Sequence, residues 1–562
     1  MRAALLSSTL LAALTLAVGC QRSPSLATPY ALPLTEPNGR ALTGRFLLVS
    51  DNQLHHLYGD PYWTRTQIAD RVIPSAIRPV QLDLFGRDLL RWALERPSAR
   101  KKPIIHLGDA TDIACVDELT AFFAVMRRAT SAWFMAPGNH DMYFVGNGVF
   151  SPRHWQRACK RAGGPLDKNT FINMYLDQGL GGQDLTDWPG IAALTQHRAR
   201  ARERGRFARP GSLLTGVTWD LDERRPWRSY LVQRLELSWA KQKTPVIAIL
   251  LDTNQYHSKP SLLPLPPLAY NAGLKGSLLD DQLAAVEELL DGPEEQLVLL
   301  MGHHSYQQLT RKSKARIDAL RAEHRVLAYI SAHTHAGHYH VRDEPSGEQR
   351  DSWIELNLGS MIDWPLEYRE LVIKEIEDDP RRVTMVTTLH WMHREWFSSQ
   401  EEGQQCDPSW EGPPEFYVGA DAGYAFKSIE TQRRVFNALL DTHAALLRSF
   451  PTRAPPLGSF AGDAAALAEL TTARSRLAAL KDGDHAALDD IAQLLFRLDL
   501  YDRQRQPIDH RGRDLYRLCQ AFWASKYDRV AARQPIVDDV HIVIPKDPRP
   551  AAARGPENGA PP

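Results

Sequence analysis

A layered α/β fold is predicted by short apolar runs of strand length, by amphipathic stretches of helical period, and by their alternation along the chain. Phe46 to Val49, Pro103 to Leu107, Ala132 to Met135, Val246 to Leu251, Leu297 to Met301 and Val326 to Ile330 are apolar runs bounded by turn residues. Pro79 to Leu94, Val116 to Arg128 and Leu278 to Leu290 repeat their apolar side chains at the helical interval of about 3.6 residues. Strand, helix, strand repetition is what helices layered on a sheet require.

The 562 residues carry 67 basic and 67 acidic side chains, a formal net charge of zero, which excludes a simple polyanion-coating protein. With 43% apolar and 24% charged residues, most of the chain is expected to fold in water, far from disorder or a multi-span membrane protein. The length suits about three or four domains, or one large α/β domain with insertions.

The chain divides by composition. Residues 1–19 hold a basic Arg2, an apolar run from Leu5 to Val18 and then Gly19, the pattern of a secretory signal peptide. The run of about fourteen residues is too short to span roughly 30 Å of hydrocarbon. Ala17-Val18-Gly19-Cys20 resembles the bacterial lipoprotein signal, although the leucine usual three places before the cysteine sits one place early, at Leu16. That resemblance implies lipidation of Cys20, with several acyl chains giving strong membrane anchoring and a location at the cell envelope; plain secretion is the alternative. Residues 20–44 form a linker and residues 45–395 the α/β domain. Within it, about 142–243 breaks the rhythm, is Arg-rich from Arg198 to Arg209, and reads as an insertion with local structure. Its Arg run reads as a solvated face that could attract an anionic substrate if it lay beside a cleft. Residues 396–544 carry Ala- and Leu-rich helical patterns, and residues 545–562 read as a disordered Pro, Ala and Gly tail. Setting Cys20 aside, Cys115, Cys159, Cys406 and Cys519 remain, enough for two disulfides in three connectivities or for buried free thiols.

Several of the strand-like runs end in polar clusters: Ser50-Asp51-Asn52-Gln53, Gly108-Asp109-Ala110-Thr111-Asp112, Gly138-Asn139-His140-Asp141, Gly302-His303-His304-Ser305 and Ser331-Ala332-His333-Thr334-His335. Layered α/β folds bind ligands beyond the carboxyl ends of their strands, so five such tips can converge on one site. Mixed Asp, Asn and His donors suit Mn²⁺, Fe²⁺ or Zn²⁺ better than Ca²⁺ or Mg²⁺. One cluster alone is an ordinary turn; five in this order are not.

In that order the clusters resemble the calcineurin-like metallophosphoesterase superfamily, whose motifs are Asp-x-His, Gly-Asp-x-x-Asp, Gly-Asn-His-Asp/Glu, a solitary His and Gly-His-x-His. The resemblance spans about Arg45 to Glu375 and is complete at Gly108–Asp112 and Gly138–Asp141. It implies a β-sandwich flanked by helices and two divalent metal ions. Asp51, Gln53 and His335 would hold one ion and Asn139, His303 and His333 the other, with Asp109 bridging both. It further implies hydrolysis of a phosphate ester by a hydroxide held between the ions, with His140 as general acid and Asp112 orienting it.

Gln53 stands where the family usually has His, and Ala332 where Gly is usual. A carboxamide is a weaker donor than an imidazole, and Ala replaces Gly freely unless a positive φ is needed. His55 and His56 read as loop histidines at the cleft rim, and the resemblance favours His303 over His304 as the ligand. Gln53 is also the feature that supports another reading, a binding module or scaffold of this fold with a weakened metal site. A third places the function in the C-terminal helices, as a cap or docking surface. No basic stretch with interleaved aromatics points to nucleic acid.

Overall fold

The computed structural model describes residues 36–54, 80–142, 159–179, 195–258, 275–342, 353–395, 460–481 and 539–546, with short gaps inside several of these stretches, and individual helical residues at 156 and between 433 and 501. The signal segment, Cys20, His55, His56, Cys406, Cys519 and the tail from 547 lie outside them. Among the described residues no helix is long and apolar enough to cross a membrane.

The architecture is mixed α/β with two mixed sheets. The first contains β1 (Phe46–Val49), β2 (Ile104–His106), β3 (Trp133–Met135), β13 (Glu367–Ile376), β14 (Asp379–Trp391) and β15 (Val540–Pro545), in the order β15-β14-β13-β1-β2-β3. The second contains β4 (Thr195–Ala199), β5 (Arg202–Ala208), β6 (Leu214–Asp222), β7 (Tyr230–Glu236), β8 (Val246–Leu251), β9 (Leu297–Gly302), β10 (Arg325–Ser331), β11 (His338–Arg342) and β12 (Trp353–Asn357). Its order is β11-β12-β10-β9-β8-β7-β6-β5-β4. β1, β2 and β3 run parallel, as do β8, β9, β10 and β12.

All six apolar runs read from the sequence are strands, and the three amphipathic stretches are α1 (Val80–Glu95), α2 (Val116–Met126) and α4 (Asp280–Leu290). Between them lie α3 (Lys168–Met174) and, after β9, α5 (Arg311–Glu323). Strand β8 shows how period-two alternation serves two interfaces at once. Val246, Ala248 and Leu250 join the cluster that also contains Leu47, Val49 and Ile105 of the other sheet. Ile247, Ile249 and Leu251 pack with Val286 and Leu289 of α4 and Ile317 and Leu320 of α5. Burying each such side chain contributes about 1.5–3 kcal/mol.

Residues 195–236 differ from the insertion with local structure expected of them, because they form four strands that extend the second sheet. The Arg residues that hid the strand pattern alternate along β5 and are satisfied by carboxylates: Arg202 by Asp220 and Asp281, Arg204 by Asp220, Arg206 by Glu288. Gly205 accommodates the Trp219 ring, where a Cβ would come within 2.0 Å. The C-terminal region contains α6 (Asp463–Ala479), which buries Ala466, Leu470, Ala473 and Leu477 at helical spacing. It also contains β15, so it is helical only in part.

Cys115 and Cys159 are bonded, with Cα atoms 5.2 Å apart and a separation of 44 positions in sequence. Cys115 is the N-cap of α2 and follows Asp112 by three residues. Closing a loop of that length is worth about 3–4 kcal/mol. Cys159→Ser, or reduction of the wild type, is therefore expected to lower stability by that order, read as a lower denaturant midpoint, with a slope that rises as the unfolded chain loses its cross-link.

A second stabilising cluster lies on β13, where Glu370 receives Arg45 Nη1 at 2.5 Å and the ammonium of Lys102, with His390 nearby. Burial raises the pKa of Glu370, but His390, Arg45 and Lys102 outweigh it and bring it down to about 2. Because the folded value lies below the ordinary one, this stabilisation is complete above pH 4.5 and fades as the pH falls through about 2. Glu370→Gln is expected to cost about 2 kcal/mol at pH 7 and much less at pH 2.5, measured by urea unfolding at both.

Candidate metal centre

The carboxyl ends of five parallel strands meet across the two sheets. Asp51 and Gln53 follow β1, Asp109 follows β2, and Asn139 and His140 follow β3. His303 follows β9, and His333 and His335 follow β10. The donors therefore come from both layers.

Two groups of side chains share Asp109. Asp109, His303 and His333 offer ligand atoms within 4.8 Å of one another, and so do Asp51, Asp109 and His335. His303 Nε2 lies 3.2 Å from Asp109 Oδ2, 2.9 Å from Asn139 Oδ1 and 3.1 Å from His333 Nδ1. His335 Nε2 lies 3.3 Å from Asp51 Oδ1. The His303 tautomer is set from behind, where Nδ1–H donates to Leu107 O at 2.8 Å and turns Nε2 toward this cluster.

These atoms fit a cation. Asp51 Oδ1 and Asp109 Oδ2 are buried without a well-formed hydrogen bond, their nearest imidazole nitrogens being His335 Nε2 at 3.3 Å and His303 Nε2 at 3.2 Å. Leaving a buried carboxylate oxygen without a donor is costly. A proton on His303 Nε2 serves one or two of the converging atoms; a divalent ion among them serves all. The field is already organised for positive charge. Burial works against the His303 imidazolium, yet Asp109 and Asp51 lift its pKa to about 9. Burial also works against the Asp109 carboxylate, yet His303, His140 and His333 hold its pKa below the ordinary range.

Backbone strain gathers at the same place. Eight non-glycine residues among those described have positive φ, and five of them are Asp51 (50°), Gln53 (37°), Asp109 (57°), His333 (71°) and His335 (58°). Each such conformation costs about 1–3 kcal/mol and persists only where its surroundings over-determine it. Ala332 is not among them, so its backbone has no need of glycine. Gly138 is different: a Cβ there would lie 2.1 Å from Asp109 Oδ1, so the loop approaches that carboxylate only as glycine.

Several buried groups that the motif reading left without a role hold the loops. Asp141 accepts the N–H groups of Asp109, Thr111 and Gly138 at 2.9, 2.9 and 2.8 Å, binding the second loop to the third. His106 accepts Gly108 N–H through Nδ1 at 3.1 Å and donates from Nε2 to Asn52 Oδ1 at 2.5 Å, joining the first loop to the second. Burial lowers its pKa to about 3, so it stays neutral. Lys168 lies 2.8 Å from Asp252 and donates to Asn254 O at 2.9 Å, while Asn254 Nδ2 donates to Pro137 O at 2.9 Å beneath the Asn139–His140 turn. A histidine inside a strand and a lysine opening a helix are visible in the sequence, but nothing there marks them as braces.

His140 is 15% exposed, and its Nδ1–H reaches both Asp112 O at 2.7 Å and Asp112 Oδ1 at 3.0 Å. Its backbone N–H donates to Asp109 Oδ1 at 2.8 Å. Gln53 is buried, with its N–H donating to Asp109 O at 3.0 Å. His304 belongs to neither Asp/His group: its Nδ1 meets Thr253 Oγ1 at 2.9 Å, and its ring packs on His333 at 4.5 Å between centroids. That leaves His303 as the donor of the pair. The Arg residues of β5 are occupied by their carboxylate partners rather than gathered at these loops.

Comparison with solved structures finds a likeness to the crystal structure of TT1561 of Thermus thermophilus, at 12% identity over 59% of this chain and 94% of that one, with a TM-score of 0.23. A likeness that distant bears no weight on fold or function. No protein-family model matches the chain, and no curated protein matches it.

Proposed function

We propose that the protein is a binuclear phosphoesterase of the calcineurin-like type, built as a sandwich of the two sheets. The observation that carries this reading is the pair of Asp/His groups sharing Asp109, with two buried carboxylate oxygens that no donor serves. Asp51, Gln53, Asp109 and His335 would hold one divalent ion, and Asp109, Asn139, His303 and His333 the other. When bound, such ions supply a water activated near neutral pH and neutralise charge on a phosphoryl group. The chain's own residues do the rest. His140 protonates the departing oxygen through Nε2, while Asp112 fixes its tautomer through Nδ1 and stabilises the imidazolium. Asp141, His106 and Lys168 keep the loops in place so that little reorganisation accompanies the reaction.

The reading includes export, on the strength of the segment from Arg2 to Gly19, and lipid anchoring at Cys20. The Cys115–Cys159 bond is consistent with an oxidising compartment. Substrate identity beyond a phosphate ester is set by the surroundings of the site rather than by its core. The test is metal analysis of the purified chain together with hydrolysis of a panel of phosphate mono- and diesters in defined Mn²⁺, Fe²⁺ or Zn²⁺. About two ions per chain and turnover of at least one ester are expected. A chain that takes up none of these ions and is inert throughout the panel returns the case to the scaffold reading.

A further inference from the structure

The donors proposed for one cation come from different sheets: Asp51 ends β1 of the first, and His335 follows β10 of the second. Both lie at positive φ, so something must hold each loop against relaxation. The chain itself crosses between the sheets at residues 357–361, from β12 to β13, and this crossing touches both loops. On the His side, Asn357 Nδ2 donates to Ser331 Oγ at 2.8 Å and to Ala332 O at 2.6 Å, and its Oδ1 accepts the Thr334 hydroxyl. Leu358 N–H adds a bond to Ser331 O at 2.7 Å. On the Asp side, Ser360 Oγ donates to Asp51 O at 2.8 Å, Ser50 Oγ donates to Gly359 O at 3.1 Å, and Met361 N–H donates to Ser50 O at 3.2 Å.

The other proposed cation is held only partly in this way. Its Asn139 and His303 loops are fixed by Asp141, by the Leu107 carbonyl behind His303, and by the Lys168–Asp252–Asn254 group under Pro137, none of which involves residues 357–361. Its third donor, His333, lies between Ala332 and Thr334 and shares the Asn357 bonds with His335, whereas the Ser360 bond goes to Asp51.

We infer that the crossing turn positions the two cations unequally: Ser360 is a positioning residue for the Asp51–His335 cation, and Asn357 is one for both cations, through the segment that carries His333 and His335. This rests on the binuclear reading above. Groups that orient metal ligands typically change affinity by about 10- to 100-fold when removed.

The experiment is Mn²⁺ titration of the chelator-stripped full chain by calorimetry, with circular dichroism and thermal unfolding alongside. Asn357→Leu removes the His-side bonds, and Ser360→Ala removes the bond to Asp51 O together with the Ile362 N–H bond to the same hydroxyl. The expected result is two Mn²⁺ in the wild type, both weakened by about tenfold or more in Asn357→Leu, and in Ser360→Ala one Mn²⁺ of unchanged affinity and a second weakened by about tenfold or more. Ser360→Thr, which retains the hydroxyl, is expected to recover the second ion. If Asn357→Leu fails to fold, Ser360→Ala set against Ser360→Thr decides the matter, because Thr keeps the hydroxyl that serves both Asp51 O and Ile362 N–H. In Ser360→Ala, two ions bound as in the wild type, or both weakened equally, overturn the inference while leaving the binuclear reading standing. A wild type that takes up no Mn²⁺ overturns both.

Discussion

Replacing Asp109 with Asn is expected to abolish turnover, by about 10³-fold or more, and to deplete both cations together. The substitution keeps the shape of the side chain and removes its charge. In the structure Asp109 is the one residue common to both Asp/His groups, and its Oδ1 also accepts the His140 N–H. A loss of about 4 kcal/mol in the transition state corresponds to that factor. Metal analysis separates this outcome from a purely catalytic one: one ion retained at wild-type affinity would show that Asp109 serves a single site. Asp141 is the comparison that isolates geometry from charge. It is equally buried, and burial together with Asp109 raises its pKa to about 6, but it serves three backbone amides rather than a cation.

The second large effect is expected at His140. Alanine there is expected to cut turnover of an alkyl phosphate by about 10²–10⁴-fold while leaving metal content near that of the wild type. The size of the loss is expected to depend on the leaving group. An alkoxide needs a proton as it departs, whereas a nitrophenolate leaves without one, so a nitrophenyl ester is expected to lose far less. Equal losses on both esters would assign His140 to substrate binding instead. Asp112→Asn is expected to follow the same pattern more weakly, because the Asp112 backbone carbonyl still accepts Nδ1–H.

The polar clusters were legible because parallel strands deliver their next residues to one edge, and short buried strands are easily seen as apolar runs. Asp51, Asp109, Asn139, His303, His333 and His335 meet for that reason. The strands β4 to β7 were hidden for an equally physical one. A strand whose outward face carries Arg in register with Asp220, Asp281 and Glu288 reads as a charged stretch until its partners are known. The roles of His106, Asp141 and Lys168 were hidden because a brace is defined by what it touches across the fold. The positive φ at five of the proposed ligands lies equally beyond sequence reading, since Asp and His adopt it only when tertiary contacts impose it.

Donors drawn from two layers give the seam between them an unusual property. The loops of the two sheets meet here, and an ion seated among the donors would rivet the sheets together, because an unfolded chain offers it no such set of converging ligands. Each tenfold excess of ion over its dissociation constant then adds about 1.4 kcal/mol to the folded state. On the binuclear reading, divalent ion supply would thereby govern how much of the molecule stays folded, as well as whether it can act.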